Sequence, residues 1–194
     1  MLTLAMDTAS STTSIALLDG DKLLDERSWK SNQNEAEKLL PEIMKLVPDM
    51  YDIKRIIAVS GPGSFTGLRV GVTVANTLSF LTKAELYGVD SFSVWGKRCD
   101  EGVLLIKAGR REVFLDEKVR EFDEVAEELK GQKVFGDLLP EQKEKVDLVD
   151  ESGIRSFGEV IGEIKLGEPV DIIQPNYKRP PQITISKDKW KKQK

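Results

Sequence analysis

The sequence contains no histidine and only one cysteine, Cys99. The missing imidazole excludes serine–histidine and cysteine–histidine nucleophile pairs, histidine general bases and histidine-ligated metals. A single thiol forms no intrachain disulfide and no cysteine metal cluster, and a lone cysteine is most often a small buried hydrophobe. The remaining chemistries are carboxylate catalysis, Mg²⁺–nucleotide chemistry and binding without chemistry.

Long apolar stretches are also missing. No segment approaches the roughly 18 consecutive apolar residues of a membrane-spanning helix. Met1–Asp7 has no basic residue, and the carboxylate of Asp7 interrupts its apolar run early, which is unlike a secretory signal peptide. We therefore expect a cytoplasmic protein.

Charge is spread unevenly over the 194 residues, whose net charge is −4. From Asn176 to Lys194 there are seven basic residues and one acid, so this end carries +6 and the first 175 residues carry −10. Lys187–Lys194 offers cations for RNA phosphates and Trp190 for base stacking. The alternative is a solvated terminus without a ligand.

Apolar periodicity in the first half of the chain predicts alternating strands and helices. In chain order these are strands at Leu2–Met6, Ser14–Leu18 and Lys22–Trp29, a helix at Glu35–Val47, a strand at Ile56–Ser60, a helix that ends near Thr82, and a strand at Leu86–Val89. Pro41 predicts a kink or a lost hydrogen bond in the first helix. This order of elements is that of the ribonuclease-H-like half of actin-like folds.

The second half of the chain is less regular. Strands are predicted at Val103–Lys107, Glu112–Leu115, Lys133–Phe135 and Val146–Val149, and helices at Phe122–Lys130 and Phe157–Lys165. We expect an α/β fold of the actin-like (ribonuclease-H-like) type with two lobes, which the length allows. The expected lobes are residues 1–97 and a smaller lobe at 98–194, with a basic tail from about 183.

Two polar loops are candidate anion sites. The Asp7–Thr12 turn offers hydroxyls and N–H groups to an anion, and Asp7 is suited to hold Mg²⁺ through water. The Gly61–Gly67 loop leads into a helix but lacks the Gly-Lys-Ser/Thr of a P-loop. The alternative is structural: a polar turn, and a strand-to-helix turn with Ser64 or Thr66 as N-cap. The candidate phosphate or turn residues are Asp7, Thr8, Gly61, Gly63, Ser64 and Thr66.

The helix after the Gly-rich loop has apolar and small residues over an arc of about 220°, roughly twice the stripe that contact with one sheet needs. Gly67, Gly71, Ala75 and Ser79 recur every fourth residue, which would allow close approach by another helix. One side is expected to pack on the sheet, and the other on the first helix, on a partner protein or on both. The alternative is an internal helix covered by the second lobe.

The segment Ser60–Gly71, Ser-Gly-Pro-Gly-Ser-Phe-Thr-Gly-Leu-Arg-Val-Gly, resembles the TsaB (YeaZ) family. These are bacterial proteins needed for the threonylcarbamoyl modification of tRNA adenosine (t6A). Agreement extends to residues 4–10 and 36–41 and, less closely, to residues 88–92 and 109–114. The resemblance implies an actin-like fold with a short, degenerate second lobe, and a non-catalytic role.

The resemblance also implies partners. In this family the helices of the N-terminal lobe bind and activate the homologous catalytic subunit TsaD, and they also form a homodimer. The P-loop ATPase TsaE completes the assembly. ATP and Mg²⁺ belong to the assembled complex and are not bound tightly by this chain, and tRNA is contacted indirectly or weakly through the basic tail. The residues expected to contact the partner are Leu39, Leu40, Ile43, Gly67, Leu68, Val70, Gly71, Val74, Ala75 and Leu78.

The catalytic sister family has a His-x-x-x-His metal pair, whose positions fall on Ser91 and Trp95 here. The resemblance therefore assigns neither catalytic nor metal-binding residues to this chain. Glu35 stands where many family members have histidine. An autonomous actin-like ATP-dependent phosphotransferase using Asp7 is the main alternative, and an RNA-binding adaptor acting through Lys187–Lys194 is a third.

Overall fold

Two five-stranded sheets, built from successive parts of the chain, form the framework of the protein. The computed structural model describes residues 1–31 and 34–178. The predicted basic tail, with Lys187–Lys194 and Trp190, lies outside the described residues. Within the described ranges, no helix has both the length and the apolar character needed to cross a membrane.

The first sheet has the strand order β3-β2-β1-β4-β5. Its strands are β1 (Leu2–Asp7), β2 (Thr12–Asp19), β3 (Lys22–Lys30), β4 (Ile53–Gly61) and β5 (Glu85–Asp90). The first three strands pair antiparallel, and β4 and β5 continue the sheet parallel to β1. Gly20, with a φ of 61°, makes the tight β2–β3 turn. The predicted order of elements and the α/β class are confirmed.

Helices α1 (Glu35–Leu46) and α2 (Phe65–Thr82) pack side by side on one face of this sheet, and α3 (Ser91–Arg98) follows β5. Successive strand residues point to opposite faces, so β1 places alternate side chains in the core under α1 and α2. α1 continues through Pro41 as a single helix.

The second sheet has the order β10-β9-β6-β7-β8. Its strands are β6 (Val103–Lys107), β7 (Glu112–Leu115), β8 (Lys118–Glu121), β9 (Lys133–Asp137) and β10 (Asp147–Leu148), with the helices α4 (Phe122–Glu128) and α5 (Pro140–Lys143). β8 has one apolar residue, Val119, and was not predicted from the sequence. The β7–β8 turn uses Asp116 and Glu117 at positive φ instead of the usual Asn-Gly.

After the second sheet the chain returns to the first. α6 (Phe157–Ile161) packs on the face opposite α1 and α2, with its apolar side chains against β1 and β2. It is shorter than the predicted helix Phe157–Lys165. The chain leaves the helix at Gly162, where a Cβ would collide with the Asp21 carbonyl, so the close approach of the β2–β3 turn accompanies this early end.

The last described residues also pack on the first sheet. Ile173 is 5% exposed in the core under α1 and α2, and Tyr177 stacks on Phe65 of α2 with ring centroids 4.6 Å apart.

In sequence, the first sheet ends with β5 at Asp90 and the second begins with β6 at Val103. The apolar side chains of residues 157–178 pack with the first sheet, and Lys178 also pairs with Glu117 of the β7–β8 turn at 3.0 Å. The division into lobes at 1–97 and 98–194 stays a prediction.

Candidate functional site

The turn between β1 and β2 lies at the junction of the two sheets. Asp7, at the end of β1, is 2% exposed. Its Oδ1 accepts the N–H groups of Ala9 (2.8 Å) and Ser10 (3.2 Å), and its Oδ2 accepts the Ser10 hydroxyl at 2.7 Å. Burial raises the pKa of the Asp7 carboxyl above its usual range; these hydrogen bonds oppose the shift, and the nearby charge of Asp137 adds to it.

The second sheet contributes an ion pair to this junction. The Nζ of Lys107 on β6 contacts the carboxylate of Asp137 on β9 and also donates to the Ser11 hydroxyl. The Ser11 N–H lies 3.1 Å from both Asp137 oxygens. The Lys107 and Asp137 side chains are 15% and 6% exposed, so the two charges compensate each other largely away from solvent. The pair ties the β1–β2 turn to the second sheet.

α3 completes the junction. Trp95 Nε1 donates to the Ser10 hydroxyl at 3.1 Å, and Ser91 Oγ donates to the Pro62 carbonyl at 2.7 Å. Ser91 and Trp95, at the positions of the sister family's metal pair, are therefore engaged in hydrogen bonds within the chain. In the part of the chain that the structure describes, no three His, Cys, Asp or Glu side chains are grouped as a metal site would require.

The Gly61–Gly67 loop packs directly on the β1–β2 turn. The Ser64 N–H donates to the Ala9 carbonyl at 2.7 Å, and Thr8 Oγ1 donates to the Gly67 carbonyl at 2.7 Å. Ser64 is the N-cap of α2, with its Oγ accepting the Gly67 N–H at 3.2 Å. A Cβ at Gly67 would overlap the Thr8 carbonyl, so this approach requires glycine.

The small-residue stripe of α2 makes contacts inside the chain. Gly71 packs against the Thr8 side chain, and Ala75 is fully buried. Ser79 Oγ donates to the Ala84 carbonyl at 2.8 Å. The small side chains of this stripe thus admit the chain's own β1–β2 turn. The expected close approach by another helix stays a prediction.

The candidate phosphate residues do come together, but their polar groups bind one another. Asp7, Thr8 and Gly61 are buried, Gly63 and Ser64 are half-buried, and Thr66 is exposed. The hydrogen bonds of Asp7, Thr8 and Ser64 match the structural alternative of a polar turn and a capped loop. Phosphate binding by these residues stays a prediction.

The residues expected to contact a partner divide by burial into two groups. Most are buried within the chain: Leu39, Ile43, Gly67, Leu68, Gly71, Ala75 and Leu78. Leu40 is 43% exposed, and Val70 and Val74 are half-buried. On the folded chain a partner can reach only the second group, because the residues of the first are buried. Partner binding itself stays a prediction.

Two further exposed residues extend this surface. Met44 of α1 is 64% exposed, and Leu81 of α2 is 57% exposed. Met44 follows Leu40 by one helical turn, and Leu81 continues the line of Val70 and Val74 along α2. This spacing is visible in the sequence, but it does not show which flank of each helix stays outside the core.

The orientation of α1 is set by its other flank. Arg27 of β3 pairs with Glu42 of α1 at 3.0 Å, so the side of α1 that carries Leu40 and Met44 turns toward α2. The exposed and half-buried apolar side chains on these sides of the two helices make up a candidate partner surface. We call it the helical face and define it as Leu40, Met44, Val70, Val74 and Leu81.

The chain matches known proteins over much of its length. The family model for TsaD, tRNA N6-adenosine threonylcarbamoyltransferase, matches residues 31–155. The chain is 35% identical over 95 residues to the tRNA threonylcarbamoyladenosine biosynthesis protein TsaB of Bacillus subtilis, a match that covers 47% of the chain and 42% of that protein. It is 28% identical over 131 residues to the protein of the same name from Escherichia coli, covering 62% and 56%.

A solved structure supports the fold. YeaZ from Pseudomonas aeruginosa superposes with a TM-score of 0.50 at 23% identity, over 62% of this chain and 63% of that chain. At this identity the likeness concerns the fold alone. The chain spans about half the length of the curated relatives it matches.

Proposed function

Since the chain belongs to the TsaD family as a TsaB (YeaZ)-like member, we propose that it is a non-catalytic subunit of the machinery that makes tRNA threonylcarbamoyladenosine (t6A). In this role it binds and activates a TsaD-like catalytic subunit through the helical face. A TsaE-like ATPase, ATP, Mg²⁺ and tRNA belong to the assembled complex. Without the catalytic subunit, the same face joins two copies of this chain. Modification of tRNA also implies a cytoplasmic protein.

The relatives support a role in t6A biosynthesis. The TsaB proteins of Bacillus subtilis and Escherichia coli are both described as tRNA threonylcarbamoyladenosine biosynthesis proteins. The family model that matches is that of the threonylcarbamoyltransferase itself, although the sister family's metal positions hold Ser91 and Trp95 here. The chain thus matches the enzyme's family but lacks its metal-binding histidines, which is consistent with a subunit that assists the enzyme.

The observation that carries the proposal is the helical face. Its most exposed members are Met44, Leu81 and Leu40, and its half-buried valines, Val70 and Val74, pack against the core. Burial of apolar surface stabilises a complex by about 25 cal/mol per Å², and contiguous exposed apolar patches mark interaction sites. A TsaD-like partner is related to this chain, so it would present the equivalent helices, and pairing between like surfaces becomes available.

The hydrogen bonds at the junction of the two sheets support the proposal that the chain is not itself catalytic. A phosphotransferase needs carboxylate oxygens directed at Mg²⁺-bound water and N–H groups directed at phosphate. Here the Asp7 oxygens accept hydrogen bonds from their own turn, and Asp137 is paired with Lys107. This arrangement favours a structural junction over the alternative of an autonomous phosphotransferase.

Calorimetric titration against the TsaD-like subunit of the same organism tests the helical face. Met44→Glu and Leu81→Glu each add a carboxylate that must lose water when the partner binds, so we expect at least about tenfold weaker affinity. The Tm should change little, because both side chains are exposed.

Val119→Glu is the control for these variants. Val119 is also an exposed apolar residue, at 37%, but it lies on β8 of the second sheet. Its substitution should leave the affinity for the TsaD-like subunit unchanged. Wild-type affinity in both helical-face variants would contradict the proposal, as would an equal loss in all three.

A further inference from the structure

A stacked pair of aromatic rings lies at the start of α2. Phe65, the first residue of the helix, is 44% exposed, and Tyr177 stacks on it with ring centroids 4.6 Å apart and 26° between the ring planes. Arg69 follows Phe65 by one helical turn, and its guanidinium carbon lies 5.6 Å from the centroid of the Phe65 ring. We call Phe65, Arg69 and Tyr177 the aromatic platform. Neither the related proteins nor the proposed function assigns it a role.

The aromatic platform is separate from the helical face. At about 100° per residue, Phe65 and Val74 lie on opposite sides of α2, and Arg69 and Val70 are about 100° apart. The platform therefore faces the chain that returns after α6, where Tyr177 is located, while the helical face adjoins α1. A ligand on the platform does not compete for the residues of the helical face.

The chain that returns after α6 is attached to α2 and β4 by contacts other than the platform. The Asn176 N–H donates to the Ser60 carbonyl at 2.7 Å, and the Ile173 side chain is buried in the core. The Asn76 side chain bonds both the N–H and the C=O of Ile173. Beside these contacts, 44% of Phe65 stays exposed, so the open part of its ring is available to a ligand.

The charge beside the aromatic platform is positive. α2 has no acidic residue in its first turn, and within the described ranges no carboxylate forms an ion pair with Arg69. Lys178 and Glu117 form an ion pair at 3.0 Å and compensate each other. Six of the seven basic residues between Asn176 and Lys194 follow Lys178 in the sequence, with one acid among them. The positive segment of this otherwise acidic chain therefore continues directly from Tyr177 and the platform.

Exposed rings next to uncompensated cations are typical of surfaces that bind single-stranded nucleic acid, whose bases stack on the rings and whose phosphates contact the cations. An acidic peptide offers carboxylates to the cations but no flat base to the ring. The bases of a duplex stack on one another and are not accessible in this way. We propose that the aromatic platform binds an unpaired RNA segment, with a base on the open part of the Phe65 ring and a phosphate at Arg69. That this RNA belongs to the tRNA substrate rests on the proposed function.

Fluorescence anisotropy of the full chain with a labelled single-stranded RNA of about 12 nucleotides tests the proposal. We expect saturable binding at about 50 mM salt that weakens as the salt concentration rises. Poly-L-glutamate of similar charge is the competing probe and should displace the RNA far less effectively. The proposal is overturned if the RNA does not bind saturably up to about 100 µM protein, or if poly-L-glutamate competes equally. No TsaD-like subunit is present, so this failure is distinguishable from failure of the helical face.

Phe65→Leu and Phe80→Leu form a matched pair on α2. Phe80 is 73% exposed, and the Lys83 Nζ lies 4.6 Å from its ring centroid, but no other described ring stacks on it. Leucine cannot stack on a base, so Phe65→Leu should weaken RNA binding about tenfold, whereas Phe80→Leu should bind RNA as the wild type does. The salt dependence of Phe65→Leu should stay unchanged, because the variant loses no charge. A shallower salt dependence would mean that the basic segment was displaced, and would contradict the proposal.

Arg69→Gln removes one cation, and Lys165→Gln is its control. Lys165 is exposed after α6, and no carboxylate in the described ranges pairs with it. Each phosphate contact on a single strand contributes about 0.7 to the slope of log K against log salt, so Arg69→Gln should make the slope shallower by about that amount. Lys165→Gln should keep the wild-type slope. Wild-type binding in both Phe65→Leu and Arg69→Gln would overturn the proposal, since the RNA would then be held elsewhere on the chain.

Discussion

At the scale of one residue, the Asp7 carboxyl is the polar group at the junction of the two sheets that bears most directly on its role. Its oxygens accept hydrogen bonds from Ala9 and Ser10 in the same turn, and the side chain is almost without solvent contact. A carboxylate engaged in this way holds the turn in shape and has little capacity left for a metal-bound water. Asp7 therefore stabilises the β1–β2 turn, and binding of Mg²⁺ or phosphate there stays a prediction.

Asp7→Asn tests this environment through the pH dependence of stability. Because burial raises the pKa of Asp7 in the folded chain, the unfolded chain loses this proton at a lower pH than the folded chain does. The contribution of Asp7 to stability is then largest below its ordinary pKa of 3.8 and declines as pH rises toward the raised value. Asparagine does not titrate, so the variant lacks this decline.

Thermal unfolding between about pH 4 and about pH 7 measures the effect. The Tm of Asp7→Asn minus that of the wild type should become more positive as the pH rises. The charges facing Asp7, those of Asp137 and Arg98, are the same in both proteins. A difference in Tm that does not change with pH would show that the carboxyl has its ordinary pKa in the folded chain.

Sequence and structure agree at this scale only where the contacts are local. The polar turn at Asp7 and the N-cap at Ser64 were predictable, because a side chain there bonds a backbone group a few residues away. The contact of Ser11 with Asp137 was not, since these residues are 126 apart in sequence and no local pattern signals their contact.

At the scale of the element, α2 is the most heavily used part of the fold. One flank packs on the sheet and on the β1–β2 turn, and a second continues into the helical face. A third meets the returning chain, where the Asn76 side chain bonds both the N–H (2.9 Å) and the C=O (3.0 Å) of Ile173. These contacts account for the broad apolar arc of α2. The contact with the returning chain at Ile173 is a third packing surface, which was not predicted from the sequence.

Asn76→Ala tests the attachment of the returning chain to α2. It removes both hydrogen bonds to Ile173 and leaves that backbone without partners beside the core, so we expect a loss of about 1–3 kcal/mol in the free energy of unfolding. Thr77→Ala is the control on the same helix, because its exposed hydroxyl bonds only the Thr73 carbonyl. Urea unfolding should show little change for the control. Equal stability of both variants would mean that the returning chain adds nothing.

Element boundaries were predictable where periodicity is long. α1 and α2 carry enough turns for their apolar spacing to define them. β8 was missed because Lys118–Glu121 is short and polar. α6 was predicted too long, because the contact between Gly162 and the Asp21 carbonyl joins parts of the chain that are distant in sequence.

At the scale of the whole molecule, the order of elements was sufficient to predict the α/β fold. The return of residues 157–178 to the first sheet was not predicted. Residues 157–178 close the first sheet on both faces, and the Lys107–Asp137 pair joins it to the second sheet. The helical face remains outside these contacts. The molecule is thus a framework in which the polar groups of the β1–β2 turn are engaged at the junction of the sheets, while part of the apolar surface of α1 and α2 stays exposed.

The most direct test of this account is the light-scattering mass after chromatography, measured for the chain alone and mixed with the TsaD-like subunit of the same organism. We expect a homodimer for the chain alone, replaced in the mixture by a complex that contains both proteins. A chain that stays monomeric and elutes unchanged beside the TsaD-like subunit would contradict it.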